Sequence, residues 1–319
     1  MPEKKGCLGC SFPILVGALL IFLVLFVVGF VSGPLGKSML GDVGLSWLSV
    51  PRPEPKLPAE VVFHPFGFPI TNSIIGAWFT IIVLVGVSYM VSRRIKLIPT
   101  RLQSAFEFLL GWLYNLCQSV AGEKNGRRFF PVVATIFLFV AFNTWLSLIP
   151  GFGSIIVTTA EGEHAHLLRG ANTDINMPLA LALVSFFFVE YFGIKGRGFR
   201  YLGKFVNVGG FFRSVRNIFT GKLRAGLSGL ITGGIDIFVG FLETLSELVR
   251  IVSFTFRLFG NMTAGEILLL IAVFLVPWIF ALPFYGLELL VGFVQALIFC
   301  GLTLVFLTVA TATHGAEAA

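Results

Sequence analysis

Residues Leu230–Val276 read LITGGIDIFVGFLETLSELVRIVSFTFRLFGNMTAGEILLLIAVFLV, an apolar run of 47 residues without a proline. As one helix it would measure about 70 Å at ~1.5 Å per residue. The hydrocarbon core of a bilayer is only about 30 Å thick, so such a helix must break, protrude or lie steeply inclined in the membrane. Pro277 and Pro283 mark a turn after it, and Phe284–His314 returns as a second long helix. The expected product is a long inclined helical hairpin over 230–319.

The polar residues of this run are few and aligned. At about 100° per residue, Asp236, Glu243, Glu247, Arg250, Arg257 and Asn261 fall within an arc of about 80°, one stripe along one helix face. Along the stripe three carboxylates come first, then two arginines, then an amide; Glu266 lies off it. An arginine in the middle of a spanning helix is costly unless it meets a cavity, water or a carboxylate. Its guanidinium stays charged and cannot pass a proton. It can act as a fixed positive charge that bars cations and favours the ionised form of any carboxyl brought within about 4–6 Å. Arg257, two turns beyond Arg250 in apolar sequence, is the candidate for that role. Arg250 is about one turn from Glu247 and suits packing glue as well as function. On the returning helix Glu288 and Gln295 are seven apart and share a face. Gln295 is placed to face the arginine stripe or to join the helices by a hydrogen bond.

Composition agrees with a bilayer. Of 319 residues, 56% are hydrophobic and 12% charged, with mean hydropathy +0.92. Soluble domains carry about 25% charged residues, so a soluble enzyme is excluded, and a disordered scaffold would be polar. The 36 Phe and 36 Gly suit lipid-facing helices that also pack closely.

Charge-free stretches of spanning length also occur at 11–36, 65–92, 131–160 and, extended by Glu190-Tyr-Phe-Gly-Ile194, from Ile175. The fold class expected is an all-α integral membrane protein of about six membrane helices, including an extra N-terminal span and the C-terminal hairpin. If the N-terminus is cytoplasmic, the inner segments hold Lys4 and Lys5, seven Lys/Arg in 93–128 and eight in 195–224, seventeen together. The outer loops hold four: Lys37, Arg52, Lys56 and Arg169. That is a positive-inside pattern with both termini cytoplasmic, so the net charge of +7 reports topology and not nucleic-acid binding.

The chain then divides into an N-terminal cytoplasmic stub and membrane anchor at 1–36, an outer loop at 37–64, three spans in 65–194, a basic cytoplasmic loop at 195–229, and the hairpin. Lys4 and Lys5 before Phe12–Val31 admit a signal peptide, but the run is long for one, and a retained anchor is favoured. Within 101–120, Leu102, Ala105, Phe106, Leu109, Leu110, Leu113, Leu116 and Val120 recur at helical spacing opposite Gln103, Glu107, Asn115 and Gln118. This is expected to be an interfacial amphipathic helix on the inner membrane face. The loop at 195–229 suits contact with lipid headgroups or a partner, or simple solvation.

Other chemistry is sparse. Gly196, Gly198 and Gly203 lack the spacing of a dinucleotide fingerprint. Cys7 and Cys10 form one C-x-x-C without a second pair, so zinc is not expected, and Cys117 and Cys300 read as packing. His164 and His166 with Glu161 and Glu163 could collect protons or bind a metal weakly, though a solvated loop is the plainer reading. No cofactor and no metal site are expected.

The stretch from Glu247 to Glu266, with Arg257-Leu-Phe-Gly-Asn261 at its centre, closely resembles the signature of the subunit a family of rotary F-type ATP synthases. Glu288 and Val294-Gln295-Ala-Leu-Ile-Phe299 resemble that family's second motif. Trp145-Leu-Ser-Leu-Ile-Pro-Gly-Phe152 and Asp174-Ile-Asn-Met-Pro-Leu-Ala180 are weaker matches, and the resemblance covers roughly 60–314. It implies a stator subunit, not an enzyme by itself, that wraps a rotating c-subunit ring with two inclined helices. Its partners would be that ring, the peripheral-stalk b subunits, the remainder of the ATP synthase and membrane lipids, in an energy-coupling membrane such as the bacterial plasma membrane. Two aqueous half-channels would open to opposite sides. Arg257 matches the arginine that separates them and engages each passing ring carboxylate. Asn261 and Gln295 match polar residues close to it, and Glu243 matches the acidic position upstream. Glu266 and Glu288 match a pair that many members fill with one glutamate and one histidine. Glu247 joins the implied proton path, with Arg250 and Asp236 as support. The ring supplies the ion-binding carboxylate and so decides between H⁺ and Na⁺.

Two rival classes remain open from the residues alone. A self-contained proton-coupled transporter would usually show internal repeats, and the arginine stripe has no second copy. A membrane-embedded enzyme would need a constellation that His64, His164, His166 and His314 do not make.

Overall fold

The computed structural model describes residues 12–41, 48, 50–53, 58–64, 67–93, 95–96, 99–158, 164–198, 201, 203, 205 and 223–312. Seven α-helices appear among them: α1 (Phe12–Ser32), α2 (Pro34–Leu40), α3 (Asn72–Arg93), α4 (Arg101–Ser147), α5 (Asn176–Arg197), α6 (Leu223–Leu275) and α7 (Leu282–Thr311). Six helical segments of the described chain are long and apolar enough to cross a membrane. Their outward side chains explain why. Ile21, Ile82, Phe187 and Val309 each leave more than half of their surface uncovered, a cost in water that hydrocarbon removes. The protein is an all-α integral membrane protein, and Cys7, Cys10, Glu161, Glu163, His314 and most of the basic loop lie outside the described residues.

Two short antiparallel ribbons were not expected. Strand β1 (Val61–Phe63) pairs with β2 (Ile70–Thr71), and β3 (Ile156–Thr158) pairs with β4 (His164–His166). They correct two expected span boundaries. The apolar stretch from 65 becomes helical only at Asn72, and the one from 131 leaves the helix after Ser147, where Pro150, Gly151 and Gly153 follow. Backbone groups freed at such an end need partners, and ribbon pairing supplies them.

The segment expected to lie on the membrane face is joined to the next span as α4, across a kink at Gly122, whose φ of 75° suits a residue without a side chain. Gln103 was placed on its polar face; instead it is buried. It satisfies itself by accepting from the Lys96 N–H at 3.3 Å and donating to the Lys96 carbonyl at 3.2 Å and to Glu107 Oε1 at 2.7 Å. Leu113 and Cys117, fully covered, continue its line at helical spacing.

The chain forms two compact units. The first comprises Met1–Gly76, Thr144–Thr173 and Gly260–Val294. Here α1 lies against the α6–α7 turn through Gly29 and Gly33, where a Cβ would collide with the carbonyls of Pro277 and Leu275. The second comprises Ala77–Asn143, Asp174–Phe259 and Gln295–Ala319. Asn143 donates to Thr80 Oγ1 at 3.0 Å, and Ser185 shares a hydrogen bond of 2.8 Å with Thr303. Phe129 meets Phe192 edge-on at 5.1 Å.

Candidate functional site

Helix α6 runs unbroken for 53 residues, about 80 Å, so of the three options for the opening stretch it does not break. One broad face of it is covered by nothing among the described residues. Ile231, Ile235, Phe238, Leu242, Leu245, Val249, Val252 and Phe256 are all exposed on it. Arg257 is half-buried, and Asn261, one turn on, is exposed. The polar stripe is therefore graded along its length: Glu243 is exposed, Asp236 half-buried, and Glu247 buried.

Arg257 is held from below. Its guanidinium donates to Ser253 Oγ at 3.5 Å and lies 5.9 Å from the Phe254 ring. Phe254 is itself fixed against Phe299 at 4.9 Å and Phe306 at 6.1 Å, both on α7. Gln295, one turn before Phe299, is 2% exposed. Local sequence explains this: Phe254, Leu258 and Thr255 form the buried side of α6, so Arg257 falls at the edge of the uncovered face.

Arg250 and Glu247 have a different setting. They form an ion pair three residues apart, with side chains only 12% and 10% exposed. The Arg250 guanidinium lies 4.2 Å from the Phe306 ring and 6.0 Å from that of Phe186. Glu190, Tyr201 and Glu243 are within its electrostatic reach. Tyr201 donates to Glu190 Oε1 at 3.2 Å, and its ring fills the space where Gly193 lacks a Cβ.

The other unit holds the remaining glutamates. Glu288 is buried, and a Cβ at Gly265 would fall on its carboxyl group, so glycine at 265 makes room for it. Nearby, Gly292 lies against Thr144, Thr144 Oγ1 donates to Met262 Sδ at 3.1 Å, and Trp145 Nε1 donates to the Leu289 carbonyl at 3.2 Å. Glu266 pairs with Arg169 at 3.0 Å. His166 spends its N–H on Glu60 Oε2 at 3.0 Å and its Nδ1 on the Gly153 carbonyl at 2.6 Å. Among the described residues no group of His, Cys, Asp or Glu is grouped to hold a metal.

The sequence model of the family described as "ATP synthase A chain" matches residues 74–308. The chain belongs to that family. It is also 31% identical to an ATP synthase subunit a of Sulfurihydrogenibium over 229 residues, 72% of this chain and 91% of that one. Against the ATP synthase subunit a of Citrifermentans bemidjiense the identity is 30% over 248 residues, 77% and 91% of the two chains. With the subunit of Gloeobacter violaceus it is 28% over 243 residues, 76% and 85%. The family match spans α3 to α7 and so contains every site residue above.

Three participants were missed by sequence reasoning. Arg169 was counted as a topology marker, although a cation in a segment expected to be outer runs against the charge pattern and so carried a signal. Glu190 was taken as an extension of a span, and Gly265 had no signal, because its role is an empty space.

Proposed function

We propose that this chain is the stator subunit a of an F-type ATP synthase, moving protons to and from carboxylates on a rotating c-subunit ring. The observation that carries the proposal is the position of Arg257. It stands at the edge of a long apolar face of α6 that the described residues leave uncovered, anchored by Ser253 and Phe254. An uncovered face of this length suits a partner that slides past it, and lipid-exposed helices of a ring have the matching surface.

The cycle follows from charge. A ring carboxylate beside Arg257 is ionised, because the guanidinium stabilises its charge in a medium of low dielectric. When it moves off, a proton from the outer half-channel neutralises it, and a neutral carboxyl can enter lipid where an ionised one cannot. After a turn it reaches the inner half-channel, loses its proton and meets Arg257 again. Glu266 and Glu288 serve entry, with Asn261 and Gln295 as polar neighbours of the arginine. Glu243 and Glu247 serve release, supported by Arg250 and Asp236. Arg257 blocks a direct leak, since a fixed cation repels protons and does not carry them. Each charge moved across 100 mV contributes about 2.3 kcal/mol.

In this reading both termini are cytoplasmic, 37–64 is an outer loop, 195–229 a basic inner loop, and peripheral-stalk b subunits hold the chain against the ring. The direct test is purification in mild detergent. Recovery of a c ring and peripheral-stalk subunits with the chain supports the proposal, whereas proton transport by the purified chain alone refutes it in favour of a self-contained transporter.

A further inference from the structure

The two glutamates at 266 and 288 occupy positions of opposite character. Glu266 is engaged: its Oε2 accepts from Arg169 Nη2 at 3.0 Å, with the arginine side chain 11% exposed and the glutamate 35%. Arg169 has little freedom to leave. Its Nη1 donates to the Pro58 carbonyl at 3.2 Å, and its own carbonyl presses on α3 where Gly76 has no Cβ. The residues after it are buried: Ala171 and Asn172 are almost fully covered, and Thr173 Oγ1 donates to the Gly170 carbonyl at 2.7 Å. Its Nε is buried without a partner among the described residues, so this cation lacks one acceptor there and depends on Glu266 for its charge balance. Glu288 is 6% exposed and meets no cation among the described residues; its carboxyl rests over the bare backbone of Gly265.

We infer that Arg169 is a positioning residue that holds Glu266 in an ion pair, leaving Glu288 as the carboxyl that takes up and passes on the proton. The inference rests on the proton-path reading above and divides the work of its two entry glutamates. A carboxylate held in a charge-assisted hydrogen bond with an anchored arginine is a poor proton shuttle. A carboxyl without a counter-cation, in a space kept open by glycine, can gain and lose a proton without breaking an ion pair. The proton bound to Glu288 comes from water of the outer half-channel and leaves to the ring carboxylate, so no charge accumulates on the chain.

The test is a double-mutant cycle in the assembled ATP synthase, in membrane vesicles, reading gradient-driven ATP synthesis, ATP-driven proton pumping and the amount of the chain in the membrane. Glu266→Gln strands a buried arginine and should lower both rates about tenfold or more. Arg169→Gln strands a half-exposed carboxylate and should cost less, about threefold. Arg169→Gln with Glu266→Gln should run at least about threefold faster than Glu266→Gln alone, because the pair is removed as a unit. Arg169→Lys keeps the charge and should also stay within about twofold. Glu288→Gln should remain at least about tenfold low, alone or combined with the double substitution. If Glu266→Gln prevents accumulation of the chain, its reappearance in the double variant supports the pairing and its continued absence overturns it. A double variant as slow as Glu266→Gln at equal abundance overturns the inference and makes Glu266 a proton carrier. Arg257→Ala run alongside separates the two levels. If it still synthesises ATP the proposed function fails, whereas an inactive Arg257→Ala with an unrestored double variant sinks only the division of roles.

Discussion

Replacing Glu247 by glutamine tests whether the buried pair on α6 holds the helix in place or carries protons. The Arg250 and Glu247 side chains are 12% and 10% exposed, so the substitution leaves a guanidinium largely out of solvent. Breaking such a pair costs about 3–5 kcal/mol. The Phe306 ring, 4.2 Å from the Arg250 guanidinium, remains as a partner and offsets about 1–2 kcal/mol. The net loss is about 2–3 kcal/mol, a factor of about 30 to 150 in the folding equilibrium. For a chain of this size that lowers the unfolding midpoint by roughly 3–5 °C. Thermal unfolding of the detergent-purified protein reads it directly. Glu247→Gln with Arg250→Met removes both charges and fills the space between the Phe186 and Phe306 rings with an apolar chain, so its midpoint should return close to the wild type. Because Glu247 serves release in the proposed cycle, the double variant, assembled into the complex, should pump protons well below the wild-type rate although it is stable. An unchanged midpoint in Glu247→Gln, or a double variant less stable than the single one, refutes the energetic reasoning. A stable double variant that pumps at the wild-type rate takes Glu247 out of the proton path and leaves the pair a structural one.

Other positions give sharper geometric tests. Gly265→Ala puts a Cβ on the Glu288 carboxyl; proton pumping should fall several-fold, about 1–2 kcal/mol of displaced side chain, and Glu288→Asp, one methylene shorter, should restore part of it. Gly29→Val closes the approach of α1 to the Pro277 carbonyl; the chain should unfold at a lower temperature, by about 1–3 kcal/mol of overpacking, with no direct effect on the pumping rate per assembled complex. Tyr201→Phe removes the hydrogen bond to Glu190 but keeps the ring against Gly193; about 0.5–1.5 kcal/mol should be lost, seen as a small drop in unfolding midpoint.

The class of the protein and the alignment of its polar stripe were legible because both are one-dimensional. Spans are read from runs of apolar residues, and the stripe of Asp236, Glu243, Glu247, Arg250, Arg257 and Asn261 follows from helical periodicity alone, since α6 is a single continuous helix. What periodicity cannot carry is the partner across space. The Arg169–Glu266 pair joins residues 97 apart in sequence. The fit of Glu288 to Gly265 is a matter of missing volume. Gln103 was misplaced for a related reason: amphipathic patterning assumes that amides seek water, and here the exposed backbone of Lys96 satisfies one inside the protein. The ribbons were hidden because strands of two or three residues are too short to show a period, and Ile70–Thr71 and Ile156–Thr158 fall inside apolar stretches that read as spans.

The central claim rests on one guanidinium, and gradient-driven ATP synthesis in vesicles carrying Arg257→Ala tests it most directly, with the amount of assembled complex measured in the same membranes. The expected result is a complex present at near-normal amount with synthesis abolished, because no fixed charge remains to turn ring carboxylates over between the two half-channels. Synthesis at the wild-type rate would contradict the account.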